Sequence, residues 1–432
     1  MKRKSVRFKF FYRCVAIYLN NLLALADSHM NNELTLRFAN LSLKKRKEKV
    51  VLFFGREWFS DSTKYLYLSA LQENRDFTCI WCSCDKTLIS TLEANQLPCH
   101  LISEETLDKT VKLFLSAAVA VFSINPAQCL KGNEALFACL QGARQVQLWH
   151  GVSVKHLLLQ LINHLSLGDY HFRQPVEFAS RADCVLSTSA FLDDFFNDAF
   201  GCKRIIRAGY PRNEVILRQA TTYELIGSEI PVTMMSAITN KARKKILFAP
   251  TWQRGDDTII TGSTEFLLKL AEECKRNNTD LYVKGHPTLR QDNVSGKLSG
   301  NVWYINPCID IYPWLNNFDA LVTDYSSIMF DFLLTGKPVL RLDIEAGSHR
   351  DYEPDFKLIP DIDFAYTFTP CSLASVLYQA LNNDIKQAAR KEMADALFET
   401  DALDACASLL RFLEHEVANC VAASRQFTIE SY

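Results

Sequence analysis

The chain has 432 residues, 48% of them hydrophobic, which is enough to bury two cores, and its length predicts two or three domains. The formal net charge is −1, but residues 1–50 hold twelve Lys and Arg against three Asp and Glu. We therefore expect a soluble, faintly acidic body with a basic N-terminal arm that is drawn to something negative, and no nucleic acid among its partners.

The N-terminal arm, residues 1–49, interleaves basic and aromatic side chains. Its apolar part, Cys14 to Ala26, is interrupted by two asparagines, so it is too short and too polar for a spanning helix of about 20 apolar residues. No small-residue cleavage site accompanies it. The composition favours an amphipathic helix on an anionic membrane surface, reinforced by the basic run at 44–47. An ordinary amphipathic helix packed on the body is the alternative.

Fourteen cysteines raise the question of a metal or disulfide site. The one close cluster is Cys79, Cys82 and Cys84, and no second pair at zinc-like spacing follows it. We therefore predict no metal site, and buried free thiols in a reducing cytoplasm.

From Val50 onward, short apolar runs alternate with segments of helical periodicity. Such alternation predicts a parallel, doubly wound sheet with right-handed crossovers, whose ligand sites lie beyond the carboxyl ends of the strands. We assign this first domain to residues 50–225. Its strands are predicted at 50–54, 77–82, 99–102, 118–122, 146–149, 181–187 and 205–208, and its helices at 61–72 and 190–200.

Two loops at strand ends of this domain carry chemistry. The first, residues 55–62, begins at Gly55 and contains Ser60 and Asp61, either of which is placed to cap the following helix. In the second, a strand ends on His150, which Gly151, Ser153 and Lys155 follow. A histidine beside a glycine at a strand end is accessible and can titrate near neutral pH, so both a structural and a catalytic role are open for it.

A second alternating series begins after residues 222–244, which show no clear periodicity and are interpreted as a link. We assign the second domain to 226–395 and a C-terminal helix and tail to 396–432. The sequence therefore predicts an α/β protein with two doubly wound Rossmann-like domains facing across a cleft, as in GT-B glycosyltransferases. Dinucleotide, P-loop and hydrolase-elbow motifs are absent from the sequence. Strands are predicted at 246–249, 281–284, 302–305, 320–322 and 339–342, and helices at 265–274, 311–316, 328–335, 371–381 and 403–417.

The stretch 321–340 is the most informative part of this second domain. Its strand ends in polar residues, and Ser326 and Ser327 are predicted at a helix N-terminus, where free N–H groups and the helix dipole favour a phosphate. Asp331 lies four residues after Ser327, so both are expected on one helix face. Plain helix capping is the alternative reading of these residues.

Five motifs occur in order along the chain: WHGVSVKHL (149–157), GYPRNE (209–214), ILFAPTW (246–252), KGHP (284–287) and TDYSSIMFDFLLTGKPV (323–339). Together they resemble one family, the CDP-glycerol glycerophosphotransferases, which include teichoic acid polymerases and primases. The resemblance implies transfer of a polyol phosphate from a CDP-polyol to a hydroxyl of a growing chain or lipid-linked primer, with release of CMP. It also implies peripheral attachment to the cytoplasmic face of the membrane, and we expect no cofactor.

By position, the resemblance implies that His150 is the general base and that Ser326, Ser327 and Asp331 surround the donor. We predict that Asp331 is catalytic together with His150, and we assign it to a polyol hydroxyl. Residues 346–356 differ from the glycine-rich segment usual in the family, which leaves the polyol open. The donor-binding residues are predicted to be Thr251, Arg254, Lys284, His286, Thr323, Asp324, Ser326 and Ser327, and the acceptor-side residues Gly55, Ser60, Gly151, Ser153 and Lys155.

Two alternatives share the predicted fold. One is a nucleotide-sugar glycosyltransferase or 2-epimerase, although an epimerase is expected to carry Ser-Gly-Gly where this chain has Tyr325-Ser326-Ser327. The other is an inactive, membrane-associated binding protein, which the intact His150 and His286 disfavour.

Overall fold

The computed structural model describes residues 33–73, 75–162, 180–202, 204–251, 264–285, 295–343 and 355–429. Two seven-stranded sheets organise this part of the chain. The first sheet, with its helices, is called the first lobe, and its strand order is β3-β2-β1-β4-β5-β6-β7. Its strands are β1 Glu48–Phe54, β2 Thr78–Ser83, β3 Cys99–Leu101, β4 Ala117–Phe122, β5 Arg144–Gln147, β6 Cys184–Ser187 and β7 Ile205–Arg207.

The strand pairs of the first lobe are parallel. The central strand β4 is buried along its whole length, because helices cover both faces of a doubly wound sheet. This explains why β4 is an uninterrupted apolar run rather than an alternating one. The helices of this lobe are Asp61–Gln72, Lys86–Ala94, Leu107–Ser116, Pro126–Cys129, Glu134–Ala138, Leu159–Ile162, Asp193–Phe200 and Glu214–Leu217.

The second sheet and its helices form the second lobe, with the strand order β10-β11-β9-β8-β12-β13-β14. Only the edge pair β10 and β11 is antiparallel among its described strand pairs. The strands are β8 Lys244–Phe248, β9 Thr279–Lys284, β10 Gly296–Ser299, β11 Val302–Ile305, β12 Ala320–Thr323, β13 Val339–Leu342 and β14 Tyr366–Phe368. The helices are Val232–Thr239, Thr264–Arg276, Ile328–Phe332, Leu373–Asn382 and Gln387–Leu397, with 3-10 turns at Tyr312–Asn317 and Leu333–Thr335.

A C-terminal helix, Ala405–Ile429, returns from the second lobe to the first, where it packs on β1, β4 and the helix Asp61–Gln72. Its Glu416 is fully buried and accepts from Arg144 Nε at 2.7 Å and from Arg204 Nη1 at 3.1 Å. The predicted helix at 403–417 is therefore confirmed but is longer, since the tail after residue 417 continues it.

The first turn of the helix Asp61–Gln72 connects the two lobes. Lys64 Nζ lies 2.9 Å from Asp310 Oδ2 and donates to Ser228 Oγ at 3.1 Å. Tyr65 Oη donates to the same Asp310 oxygen at 2.6 Å. Lys64, Tyr65 and Asp310 are all buried, so the lobes meet through charges that are shielded from water.

The predicted two-lobed α/β fold is thus confirmed. The segment 222–244, interpreted as a link, contains the helix Val232–Thr239, whose Met234 and Ile238 are buried. No helix in the described ranges is long and apolar enough to cross a bilayer. Across the same ranges the cysteines are free thiols, and no cluster of three or more His, Cys, Asp or Glu side chains is placed to hold a metal ion. Residues 1–32 of the arm lie outside the described part of the chain.

Candidate active site between the lobes

His150 lies on a sharp turn just after β5. Trp149 has φ +57° and Gly151 has φ +116°, both in the left-handed region. The imidazole lies against the Trp149 indole, with ring centroids 4.1 Å apart, and its Nδ1 is 3.4 Å from the Ser123 carbonyl oxygen. Because a carbonyl only accepts, Nδ1 carries the proton in this contact and Nε2 keeps a free lone pair.

Two arginines and one aspartate act on the charge of the His150 imidazole. Burial lowers the pKa of His150 to about 3, together with the charges of Arg56 and Arg212, while Asp61 acts in the opposite direction. In the ligand-free protein this imidazole is therefore neutral at physiological pH. From the sequence we expected His150 to titrate near neutral pH; that expectation took neither the burial of the ring nor the two arginines into account.

Arg212, from the GYPRNE turn, lies next to His150 and is 2% exposed. Its Nη1 is 2.6 Å from Asp61 Oδ1, and its Nη2 is 2.6 Å from Asp331 Oδ2. The same Nη2 donates to the carbonyl oxygen of His150 at 2.8 Å. Arg212 therefore connects the histidine turn of the first lobe to a helix of the second.

Asp61 begins its helix with φ +67°, a conformation that is costly for a residue with a side chain. Its carboxylate is held by Arg56 Nε at 3.0 Å as well as by Arg212. Burial alone would raise the pKa of Asp61, but Arg56 and Arg212 outweigh it and the pKa is lowered. Asp61 therefore remains an anion between two guanidinium groups.

The two glycines predicted on the acceptor side each allow a close approach. A Cβ on Gly151 would lie 2.4 Å from Arg212 Nη2, and a Cβ on Gly55 would lie 2.8 Å from the Trp81 ring. Gly151 thus makes room for the guanidinium, whereas Gly55 makes room for core packing.

The other predicted acceptor-side residues are placed differently from one another. Ser60 is buried at the N-cap of its helix without a capping side-chain bond. Ser153 Oγ donates to the Lys155 carbonyl and accepts from the Lys155 amide, which closes a local turn. The Lys155 ammonium lies 4.7 Å from the Tyr325 ring centroid, so it faces the second lobe. Burial lowers the pKa of Lys155 to about 8, and Asp324 opposes this change.

Asp324 organises the turn after β12 from a fully buried position. It accepts from the Thr251 amide at 2.8 Å, from Thr251 Oγ1 at 2.6 Å and from the Ser326 amide at 3.1 Å. Burial raises its pKa, against the effect of the Thr251 hydrogen bonds. Thr323 Oγ1 donates to the Ala249 carbonyl at 2.7 Å. The polar side-chain atoms of Thr251, Thr323 and Asp324 are therefore engaged in hydrogen bonds within the protein. These residues hold the turn of the predicted donor site in place.

Ser326 and Ser327 are half-exposed and precede the helix Ile328–Phe332, with Ser327 at its N-cap and no capping side-chain bond. Lys284, at the end of β9, donates to the Pro307 carbonyl at 2.6 Å. Burial lowers the pKa of Lys284 to about 8, with Asp310 opposing and Arg56 adding to the effect. The predicted donor residues Arg254 and His286 lie outside the described residues.

Asp331 requires a correction. The sequence predicted that it shares an exposed helix face with Ser327, but Asp331 has no exposed surface. Its Oδ2 accepts from Arg212 and, at 2.7 Å, from Tyr312 Oη. The physical reason is the buried guanidinium, which needs an anion beside it. The assignment of Asp331 to a polyol hydroxyl stays a prediction.

Four residues of the site were missed at the sequence level: Arg56, Asp61, Arg212 and Tyr312. Arg212 lies inside a quoted motif, and Asp61 was considered only as a helix cap. Arg56 contributes to the pKa of both His150 and Lys284, so its charge lies between the lobes. Among the described residues, its Nη atoms have no hydrogen-bond partner, since only Nε pairs with Asp61.

Two cavities adjoin the loop at residues 56–58. One of about 810 Å³ lies between the lobes and is bounded by Trp58 and Phe59 on one side and by Pro307 and Ile309 on the other. The second, of about 450 Å³, lies within the first lobe at the strand ends. It is lined by Gly55, Arg56, Glu57, Trp58, Asp85 and Lys131, among others. The two cavities lie on either side of the residue 56–58 loop, and the side chains that line them do not include His150, Ser326 or Ser327.

Two facing doubly wound lobes with their loops at a common cleft define a GT-B-type transferase fold. Solved structures agree. The wall teichoic acid polymerase TagF matches with a TM-score of 0.64 at 18% identity, covering 91% of this chain and 95% of that one. A putative UDP-N-acetylglucosamine 2-epimerase from Listeria monocytogenes matches with a TM-score of 0.52 at 14% identity, over 84% and 95% of the two chains. At these identities the likeness shows the fold alone.

The chain belongs to the family described as CDP-Glycerol:Poly(glycerophosphate) glycerophosphotransferase, whose model matches residues 36–400. This confirms the family expected from the motifs. A teichoic acid poly(glycerol phosphate) polymerase of Bacillus spizizenii is 25% identical over 357 residues, 79% of this chain and 83% of that protein. A teichoic acid glycerol-phosphate transferase of Staphylococcus aureus is 29% identical over 227 residues, 49% of this chain and 56% of the relative.

Proposed function

We propose that this protein transfers glycerol phosphate from CDP-glycerol to a hydroxyl of a membrane-linked glycan or teichoic-acid-like acceptor and releases CMP. The family match over residues 36–400 carries this proposal. The fold cannot carry it, because an epimerase shares that fold. The neutral imidazole of His150 at the interlobe cleft supplies the group that such a transfer requires.

The reaction is an in-line phosphoryl transfer. The acceptor hydroxyl oxygen attacks the β-phosphorus and gives its proton to His150 Nε2. The bond between the β-phosphorus and the bridging oxygen breaks, and its electron pair leaves on CMP. When the anionic diphosphate binds beside His150, it raises the pKa of this imidazole towards the working range of a general base.

On the donor side, we assign the diphosphate to the helix start at Ser326 and Ser327, with Lys284 and Arg56 as the cations that balance the charge growing on CMP. Arg254 and His286 are proposed donor residues on the strength of the motifs alone. Thr251, Thr323 and Asp324 act through the turn that they hold, and Lys155 reaches this turn from the first lobe. The acceptor is proposed to enter along the first lobe, past Gly55, Ser60, Gly151 and Ser153.

The test is CMP release by the purified protein, measured with CDP-glycerol, CDP-ribitol, UDP-sugars and CMP-sialic acid, each with and without a glycerol-phosphate acceptor. We expect acceptor-dependent CMP release with CDP-glycerol. Release with CDP-ribitol instead would change the polyol, and turnover of a UDP-sugar alone would replace the proposed reaction by that of the rival class.

We further propose that the protein attaches peripherally to the cytoplasmic membrane face through residues 1–49. In the described part of this arm, residues 33–44 are helical and several leucines are exposed, next to the basic residues 44–46. The exposed leucines are Leu34, Leu36, Leu41 and Leu43, with exposures of 41%, 65%, 52% and 56%. Apolar side chains beside exposed cations match the chemistry of an anionic bilayer.

Sedimentation with phosphatidylglycerol vesicles tests this attachment. Each basic residue at an anionic surface contributes about 1 kcal/mol, so changing Lys44, Lys45 and Arg46 to Gln should weaken binding about 100-fold at low salt. A matched triple change at exposed lysines elsewhere, Lys109, Lys112 and Lys391 to Gln, should leave binding nearly unchanged. Equal pelleting of the protein without residues 1–45 would refute membrane attachment through the arm.

A further inference from the structure

The Arg212 guanidinium is shared by three acceptors that belong to both lobes. Nη1 is bound to Asp61, and Nη2 is bound to Asp331 and to the main-chain oxygen of His150. A planar fork satisfies acceptors in fixed directions, which an ammonium cannot do. The ring faces of Tyr312 and Tyr210 lie 4.5 and 5.5 Å from the guanidinium carbon and limit its movement.

The backbone beside His150 is built around this side chain. Gly151 adopts φ +116°, and the space where a Cβ would lie is occupied by Arg212 Nη2 at 2.4 Å. The position of the His150 turn and the position of Arg212 are therefore mutually dependent.

A second interlobe cluster provides a comparison. Asp310 accepts from Lys64 Nζ and Tyr65 Oη, just as Asp331 accepts from Arg212 Nη2 and Tyr312 Oη. Both aspartates are buried, and both clusters join the lobes. None of the described hydrogen bonds of the Asp310 cluster reaches the His150 turn.

We propose that Arg212 is a positioning residue for the transfer reaction. It fixes the His150 turn through the carbonyl oxygen of His150 and, through Asp331, sets the position of that turn relative to the helix Ile328–Phe332. This proposal rests on the proposed function for its kinetic consequence. Asp331 is then a second positioning residue, acting through Arg212. A misplacement of about 1 Å at a reacting group can cost about 100-fold in rate, which sets the expected scale.

The charge of Arg212 also acts on the imidazole. Burial is the largest influence on the pKa of His150; among the charged groups, Arg56 and Arg212 lower this pKa and Asp61 raises it. Removing the Arg212 charge takes away a cation that disfavours protonation of the imidazole and leaves the negative charge of Asp61 less neutralised. The pKa of His150 should therefore rise. A side chain with a purely structural role elsewhere in the interface would not change this titration.

The experiment compares Arg212→Lys, Arg212→Gln and Tyr312→Phe with the wild type. Arg212→Lys keeps the charge and loses the fork, so kcat should fall about 10-fold to 100-fold with little change in the KM for CDP-glycerol. Arg212→Gln should in addition raise the pKa of His150. This pKa is measured by NMR titration of the imidazole signals, which are assigned by comparison with His150→Gln. Tyr312→Phe, which removes one hydroxyl and is expected to fold, should lower kcat several-fold.

The matched control is Tyr65→Phe, which removes the equivalent hydroxyl from the Asp310 cluster and should leave both kcat and the His150 titration unchanged. Wild-type kcat in Arg212→Lys and Tyr312→Phe would overturn the proposal. A second result would also overturn it: equal losses of kcat in Tyr312→Phe and Tyr65→Phe, together with an unchanged His150 titration in Arg212→Gln. Arg212 would then only hold the lobes together. The titration does not depend on turnover, so a failure of the proposed function, seen as an inactive wild type, is distinguished from a failure of this inference.

Discussion

Replacing His150 by alanine is expected to lower kcat about 10²-fold to 10⁴-fold, the usual contribution of a general base. The physical reason is that the acceptor hydroxyl would then attack with its proton in place, or lose it to water. CDP should still bind, because the proposed diphosphate contacts at Ser326, Ser327 and Lys284 do not involve the imidazole. The measurements are steady-state CMP release and calorimetric titration with CDP.

A second histidine provides the control for this substitution. His100 lies on the edge strand β3 and its Nε2 is 2.8 Å from Thr110 Oγ1. Its pKa is also lowered by burial, so it resembles His150 in environment but not in location. His100→Ala should therefore keep kcat within about twofold. Weaker CDP binding of His150→Ala with unchanged kcat would contradict the base assignment and move His150 to the donor side.

Much of the fold could be predicted because its strands are locally distinctive. The helix at 61–72 and the strands β11 and β13 were predicted with the bounds that the structure has. Parallel strands that are covered on both faces need continuous apolar runs, and such runs are visible in one sequence.

The elements that escaped prediction depend on their neighbours. The edge strands Gly296–Ser299 and Tyr366–Phe368 are short, and the first contains no apolar run except a single leucine. Each is a strand because an adjacent strand offers hydrogen bonds to it. Such pairing is a tertiary property, so periodicity carried no signal for it.

The same distinction explains the site. The position of His150 at a strand end could be predicted, because strand ends meet at one edge of a parallel sheet. The pairing of Arg212 with Asp331 could not, since 119 residues separate them in sequence. Local helix spacing placed Asp331 beside Ser327, but a buried cation from the other lobe determines where its carboxylate lies. Contacts between the lobes, such as that of Lys155 with Tyr325, could not be predicted from the sequence for the same reason.

Lys64→Met is expected to destabilise the protein by about 3–5 kcal/mol, because it leaves the Asp310 carboxylate buried without its cation. Lys64→Met with Asp310→Asn should recover part of this loss, since the uncompensated charge is then removed while the Tyr65 hydrogen bond can remain.

Lys391→Ala serves as the control. Lys391 Nζ lies 2.5 Å from its partner Asp395, yet the two side chains are 77% and 65% exposed. Water and salt screen this pair, so the loss of stability should be about 0.5 kcal/mol or less. Urea unfolding at pH 7 measures all three variants. Equal stability of Lys64→Met and Lys391→Ala would show that the buried cluster does not hold the lobes together.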